Sequence, residues 1–158
     1  MPAQEPSLRA RALRHLARRE YTRQELAQKL APHAGSASEI AQILDDFTQR
    51  GWLSEQRAAE QMVHARRGRY GPLRIRRDLQ TRGVPEDVAS AAVAVLRDSE
   101  LDAARAVWQR RFRATPSSAA ERARQTRFLL GRGFSSEVIT KLLRGFARGD
   151  FGEEVGNE

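Results

Sequence analysis

Cysteine is absent from this chain of 158 residues, and its absence removes a group of functions. Without cysteine there is no disulfide, no thiolate metal site and no thiol nucleophile, and a reducing compartment is compatible with the sequence. Aromatic residues make up only 6% of the chain, and no apolar run approaches the length of a membrane span. The polar residues Met1 to Ser7 lead into no apolar signal segment. We therefore expect a cytoplasmic protein without membrane association.

Signatures of catalysis and metal binding are missing as well. The histidines His15, His33 and His64 are scattered, and none has a second ligand at the helical spacing that a metal site requires. The nucleophile elbow and the glycine-rich phosphate and dinucleotide loops do not occur. The adjacent Asp45 and Asp46 project at different angles from a helix, so they form no evident acid/base pair. The sequence predicts no catalytic residue, no metal, no cofactor and no enzymatic activity.

Positive charge, in contrast, is plentiful. The formal net charge is +8, and Lys29 and Lys141 are the only lysines among 28 basic residues. Guanidinium groups pair with phosphate and carboxylate in a two-pronged geometry, so this charge favours a polyanionic partner. An arginine-rich composition that reflects only a GC-rich genome is the competing interpretation.

Apolar residues recur every three or four positions, which predicts an all-helical chain of nine helices separated by short breaks. Polar caps or prolines mark the helix starts, at Ser7, Thr22, Ser36, Ser54, Pro72, Pro85, Ser99, Ser118 and Ser135. Glutamate follows three residues after Thr22, Ser36 and Ser118, as in a capping box. Glycines 51, 83 and 133 are predicted to end helices in the left-handed conformation. Helical spacing also places the following residues in the core: Leu13, Ala17, Trp52, Ala65, Leu73, Val95 and Trp108.

The helices group into three similar units, predicted at residues 1–53, 54–98 and 99–146, followed by a flexible acidic tail at 147–158. Leu79, Gly83, Val84 and Val88 recur as Leu129, Gly133, Phe134 and Val138, at a constant offset of 50 residues. Leu30 and Ile40 give a looser version earlier in the chain. Each copy predicts a helix, a glycine turn, an apolar residue and a second helix, which is the signature of a tandem architecture.

Two clusters of basic residues are candidate binding surfaces. The first arginine cluster surrounds the Gly71-Pro72 break and comprises Arg66, Arg67, Arg69, Tyr70, Arg74, Arg76, Arg77 and Arg82. The second lies on the last two helices and comprises Arg122, Arg124, Arg127, Arg132, Lys141 and Arg144. Each cluster either binds an anionic partner or is an ordinary solvated helix face, and Tyr70 either stacks on a base or packs against its own turn.

The order of these features resembles the RecX family over roughly residues 8 to 146. The resemblance rests on RGRYGPLRIRRDLQTRGV at Arg67 to Val84, ALRHLARREYTRQELAQKL at Ala12 to Leu30, and LLGRGFSSEVI at Leu129 to Ile139. It implies three tandem three-helix repeats in an elongated, curved arrangement, without a cofactor or catalytic activity. It also implies binding in the groove of the RecA recombinase filament on single-stranded DNA, with suppression of strand exchange, ATP hydrolysis and stimulated repressor cleavage.

The resemblance and the charge together make both basic clusters the expected contact surface for the RecA filament and for single-stranded or duplex DNA. We expect a monomer, because the apolar positions are all needed to close three small cores. Two other interpretations stay open. A helix-turn-helix protein that binds duplex DNA directly would also be basic, and an enzyme would need convergent catalytic groups that the residues do not suggest.

Overall fold

The structure is a computed structural model, and it describes residues 2–149. Within that range the chain forms nine α-helices and no β-strand, which confirms the predicted all-helical class. The helices are α1 (Leu8–Leu16), α2 (Arg23–Leu30), α3 (Ala37–Gln49), α4 (Glu55–Arg66), α5 (Pro72–Thr81), α6 (Glu86–Ala94), α7 (Glu100–Arg111), α8 (Ala119–Gly131) and α9 (Ser136–Arg148). Most of the predicted acidic tail, residues 150–158, lies outside the described part.

Side-chain caps set most of the helix starts that the sequence predicts, but Ser99 caps no helix, because its hydroxyl donates to the Leu96 carbonyl at 3.3 Å. Thr22 Oγ1 accepts a hydrogen bond from the Glu25 N–H, and Glu25 Oε1 accepts one from the Thr22 N–H, which completes a capping box. Ser118 likewise accepts from the Glu121 N–H, but the Glu121 carboxylate accepts from Ser117, one residue further back. Both caps therefore satisfy backbone N–H groups that have no partner within the helix, although the residue that donates to the glutamate carboxylate differs.

The described chain divides into two compact units. The first unit comprises residues 2–65 and Asp78–Ala92. Its core is a cluster of buried side chains from α1 to α3 and the segments that follow them: Leu8, Ala12, Tyr21, Leu26, Leu30, Leu44, Phe47 and Leu53. Burial of such a cluster supplies the main favourable term for folding.

Within the described residues, the second unit comprises Arg66–Arg77 and residues 93–149. Its core lies among α7, α8 and α9 and consists of Ala104, Val107, Trp108, Phe112, Leu129, Phe134, Ile139, Leu142 and Leu143. One polar pair is buried inside it, because Trp108 Nε1 donates to Gln125 Oε1 at 2.8 Å and Gln125 Nε2 donates to the Ala114 carbonyl at 3.1 Å. The predicted burial of Trp108 is confirmed.

Six other burial predictions are wrong. Leu73 is 55% exposed in the first turn of α5, where Ile75 and Leu79 occupy the buried face. Ala65 is exposed near the end of α4.

Trp52 is 42% exposed, because it follows the left-handed Gly51 and packs its ring against Phe47 at 5.3 Å from outside the core. Val95 is 72% exposed, since α6 ends at Ala94 and helical spacing no longer applies beyond that point. Leu13 and Ala17 are also exposed, so α1 buries a narrower stripe than its periodicity predicts.

Candidate functional site

The Gly-Pro break before α5 packs against the turn between α8 and α9. The Gly71 N–H donates to the Arg132 carbonyl at 2.8 Å, and the Leu73 N–H donates to the Gly133 carbonyl at 3.1 Å. A Cβ on Gly71 would lie 2.3 Å from the Gly133 oxygen, so only glycine permits this approach. Backbone hydrogen bonds therefore hold the Gly-Pro break before α5 against the glycine turn between α8 and α9.

Tyr70 connects the two predicted arginine clusters. Its ring centroid lies 4.7 Å from the Arg74 guanidinium carbon, 5.2 Å from that of Arg132 and 5.9 Å from that of Arg66. Arg74 also donates through Nη1 to the Gly131 carbonyl at 3.2 Å. Tyr70 is thus a packing partner for guanidinium groups of both clusters.

From Arg132 the alternation of guanidinium and aromatic ring continues across the second unit. The Arg132 guanidinium carbon lies 5.4 Å from the Phe128 centroid, and that of Arg111 lies 5.8 Å from Phe128 and 5.3 Å from Phe112. Arg124 lies 6.0 Å from Phe112. We refer to this series as the guanidinium–aromatic ladder, and its members are Arg66, Tyr70, Arg74, Arg111, Phe112, Arg124, Phe128 and Arg132. Each such contact contributes about 0.5–1 kcal/mol at an exposed site, so the rings hold several cations close together.

A solvent-open depression of about 310 Å³ lies beside the ladder. This arginine depression is lined by Arg69, Val107, Arg110, Arg111, Phe128 and Arg132. The Arg110 Nη1 donates to the Gly68 carbonyl at 3.1 Å, which fixes one of its walls. Sequence reasoning missed Arg110 and Arg111, since they lie on α7, outside both predicted clusters.

The charge of the arginine depression is not neutralised by the described part of the chain. Within residues 2–149, none of its four guanidinium groups lies within 4.0 Å of a carboxylate oxygen. Arginines of the first unit differ, since Arg9 pairs with Asp46 at 2.7 Å and Arg23 pairs with Asp45 at 2.6 Å. Among residues 2–149, the depression is therefore lined by four guanidinium groups with no carboxylate in ion-pair contact.

The remaining predicted residues are dispersed. Arg67 lines a second depression of about 270 Å³ with Glu100 and Asp102, and Arg77 and Arg127 are exposed. Arg82 belongs to the first unit, where its carbonyl accepts a hydrogen bond from Thr22 Oγ1 at 2.6 Å.

Lys141 and Arg144 line a separate groove of about 640 Å³ along α9. The structure thus places part of each predicted cluster on one surface and leaves the other members elsewhere.

The described residues offer no metal chemistry. Across residues 2–149, no three histidine, aspartate or glutamate side chains come together in a way that could hold a metal ion. None of the helices in that range is long and apolar enough to cross a membrane. The chemistry available at the surface is anion binding by guanidinium groups supported by aromatic rings.

These features define a class of protein: an all-helical chain with an arginine-rich surface. Three family models match successive segments, described as the first, second and third three-helix domains of RecX, at residues 9–47, 54–93 and 98–143. The chain therefore belongs to the RecX family.

Relatives and solved structures agree with this assignment. A protein of Leptothrix cholodnii named "Regulatory protein RecX" is 51% identical over 138 residues, which cover 87% of this chain and 88% of that protein. A protein of the same name from Ralstonia nicotianae is 46% identical over 92% of this chain and 91% of its own length. The crystal structure of RecX from Lactobacillus salivarius has the same fold, with a TM-score of 0.76 and 20% identity over 89% of this chain and 95% of that one.

Proposed function

We propose that this protein binds the RecA recombinase filament on single-stranded DNA and lowers its ATP hydrolysis, strand exchange and stimulated repressor cleavage. It does so by contact, without catalytic activity of its own. The observation that carries the proposal is membership of a family whose relatives bear the name regulatory protein, over nearly the whole chain. The arginine-rich surface supports it, since a nucleoprotein filament presents both phosphates and carboxylates.

The contact surface in this proposal comprises the members of the two arginine clusters that face solvent. Long-range attraction between such a surface and a polyanionic filament is screened by salt, so inhibition should weaken steeply as ionic strength rises. We further propose a monomeric, cytoplasmic protein with repeats at residues 1–53, 54–98 and 99–146. Sedimentation equilibrium tests the monomer, and expression of the separate segments tests the repeats.

The deciding experiment is a titration of RecA filaments on single-stranded DNA with this protein, followed by the steady-state rate of ATP hydrolysis. We expect inhibition at or below one molecule per recombinase subunit. A variant with Arg66, Arg67 and Arg77 changed to Glu and Arg74 changed to Gln, which keeps a donor for the Gly131 carbonyl, should weaken inhibition by at least about tenfold with helicity unchanged. Each lost charge–charge contact typically costs about 1 kcal/mol or more.

The matched control makes the same changes of charge, Arg14, Arg18 and Arg97 to Glu and Arg113 to Gln, at exposed positions outside both clusters. That variant should inhibit nearly as well as the unmodified protein. A milder variant, with Arg67 and Arg77 changed to Gln, separates loss of contact from loss of folding. An unchanged hydrolysis rate, together with tight sequence-specific binding to duplex DNA, would instead identify a direct DNA-binding protein.

A further inference from the structure

The arginine depression concentrates like charges that repel one another. Arg69, Arg110, Arg111 and Arg132 line a space of about 310 Å³, and within residues 2–149 no carboxylate lies within 4.0 Å of any of them. The protein holds these groups together by other means: the Arg110 hydrogen bond to Gly68, and the stacking of Arg111 and Arg132 on Phe128. A site prearranged in this way is complementary to an anion.

The anion must also suit the apolar part of the lining. Val107 is buried and Phe128 is partly buried, and both contribute to the wall of the depression beside the guanidinium groups. A carboxylate alone leaves such a surface uncovered. A nucleotide covers it, because its phosphate pairs with guanidinium groups while its base stacks on an aromatic ring or on a guanidinium plane.

We propose that the arginine depression binds one nucleotide unit of single-stranded nucleic acid. Arg69 and Arg110 hold the phosphodiester, and the base lies against the layer formed by Phe128, Arg111 and Arg132. The strand is single because a base inside a duplex is stacked on both faces and is not available for this contact. The inference goes beyond the proposed function, since it assigns a ligand to the chain without any recombinase.

The guanidinium–aromatic ladder extends the site in both directions. Arg132 belongs to the depression and also contacts Tyr70, while Arg111 also contacts Phe112. Neighbouring phosphates of a bound strand therefore meet further cations, at Arg74 on one side and Arg124 on the other. Such an arrangement of cations and rings is typical of surfaces that bind single strands with little sequence preference.

The test measures binding of the full chain to a labelled oligothymidylate of about 12 nucleotides, within the usual site size, by fluorescence anisotropy. The main variant is Arg110→Gln with Arg111→Gln. We expect its affinity to fall by at least about tenfold, and the dependence of log Kd on log salt to become shallower by about 0.7, the value typical of one single-strand phosphate contact, because Arg110 holds the phosphodiester whereas Arg111 contacts the base.

The matched control is Arg97→Gln with Arg113→Gln, which removes the same charge from exposed positions of the second unit that do not line the depression. Its affinity should fall by less than about threefold. An abasic deoxyribose-phosphate oligomer of the same length should bind about tenfold more weakly to the unmodified protein, because stacking of the base is lost. Circular dichroism of each variant confirms that it is folded.

Three results would overturn the proposal. Equal losses in the main variant and its control would show only a diffuse field of charge. Equal affinity for the abasic oligomer would remove the role of the base. Displacement of the oligonucleotide by poly-glutamate at the same concentration of charge would assign the depression to acidic protein segments. Failure of RecA inhibition would leave these binding results intact, so the two proposals fail separately.

Discussion

The close approach of Gly71 to Gly133 makes a quantitative prediction about four glycines of the second unit. A Cβ on Gly71 would meet the Gly133 oxygen at 2.3 Å and the Phe134 nitrogen at 2.5 Å, and these backbone atoms cannot rotate away. Gly71→Ala must therefore separate the two segments and break the hydrogen bonds of Gly71 and Leu73. Loss of two hydrogen bonds and the overpacking together should cost about 2–4 kcal/mol.

The other three glycines separate the contributions. Gly131 has φ in the ordinary range, and an added Cβ would meet no described atom within 4 Å, so Gly131→Ala should be neutral or stabilising by up to about 1 kcal/mol. Gly68 has φ of 83°, and an added Cβ there would likewise meet no atom of residues 2–149 within 4 Å, so Gly68→Ala should cost only the backbone strain, about 1–2 kcal/mol. Gly133 has φ of 92° and would place a Cβ 2.2 Å from that of Arg74, so Gly133→Ala should cost most, about 3–5 kcal/mol.

The assay uses the distribution of the two tryptophans, because Trp52 lies in the first unit and the buried Trp108 lies in the second. In a Trp52→Phe variant, the fluorescence of Trp108 during urea unfolding reports the second unit alone. A separate report is needed because the two units need not unfold in one transition. A Gly71→Ala variant as stable as Gly131→Ala would refute the reasoning. It would show that the close contact between Gly71 and Gly133 does not contribute to the stability of the second unit.

Two further predictions concern buried polar groups. Gln125→Leu should destabilise the second unit by about 1–3 kcal/mol, measured by urea unfolding, because the Trp108 N–H and the Ala114 carbonyl both lose their partner; an unchanged midpoint would contradict this. Burial raises the pKa of Glu55, whose Oε1 accepts from the Arg23 N–H while Oε2 has no hydrogen-bond partner among residues 2–149. Because the pKa of Glu55 is higher in the folded state than in the unfolded state, the protonated carboxyl adds to the free energy of unfolding. This stabilisation is complete below the unfolded-state pKa and is lost as pH rises through the folded-state pKa. Glu55→Gln should therefore be more stable than the unmodified protein at neutral pH, with the difference vanishing in acid; thermal unfolding across that pH range would expose the opposite trend.

The repeated turn is the part of the fold that could be predicted most fully from the sequence. Gly83 and Gly133 both adopt positive φ, of 86° and 92°. The Val84 N–H donates to the Leu79 carbonyl at 3.0 Å, and the Phe134 N–H donates to the Leu129 carbonyl at 3.2 Å. Both features follow from local chemistry, since a glycine after a helix and an apolar residue behind it define the cap.

The ladder could not be predicted in the same way. Arg111 and Arg132 are on different helices, and their meeting on Phe128 depends on which helices pack together and at what angle. Periodicity assigns a face to each helix but does not pair the faces. The sequence carried a partial signal, since Arg111 directly precedes Phe112 and Arg132 follows Phe128 by four residues, about one helical turn.

Trp52 shows the same difficulty for burial. Its apolar spacing predicts a core position, yet the ring lies outside Phe47 with the Arg9 and Arg50 guanidinium carbons within 5.8 and 5.1 Å of its centroid. An aromatic ring covered by guanidinium groups is shielded without being buried in an apolar cluster. Sequence spacing does not distinguish these two environments.

The contact at each glycine turn recurs along the chain with the same offset of 50 residues. Gln24 donates through Nε2 to the Thr81 carbonyl at 3.1 Å and lies against Gly83, just as Arg74 donates to the Gly131 carbonyl at 3.2 Å and lies against Gly133. The same contact, a side-chain hydrogen bond beside a glycine turn, therefore occurs in both units, with a neutral amide as the donor in the first and a guanidinium in the second. This contact requires only a side-chain donor and a glycine, so the donor can be either neutral or charged. We therefore expect Arg74→Gln to keep the hydrogen bond to the Gly131 carbonyl while removing a positive charge from the surface.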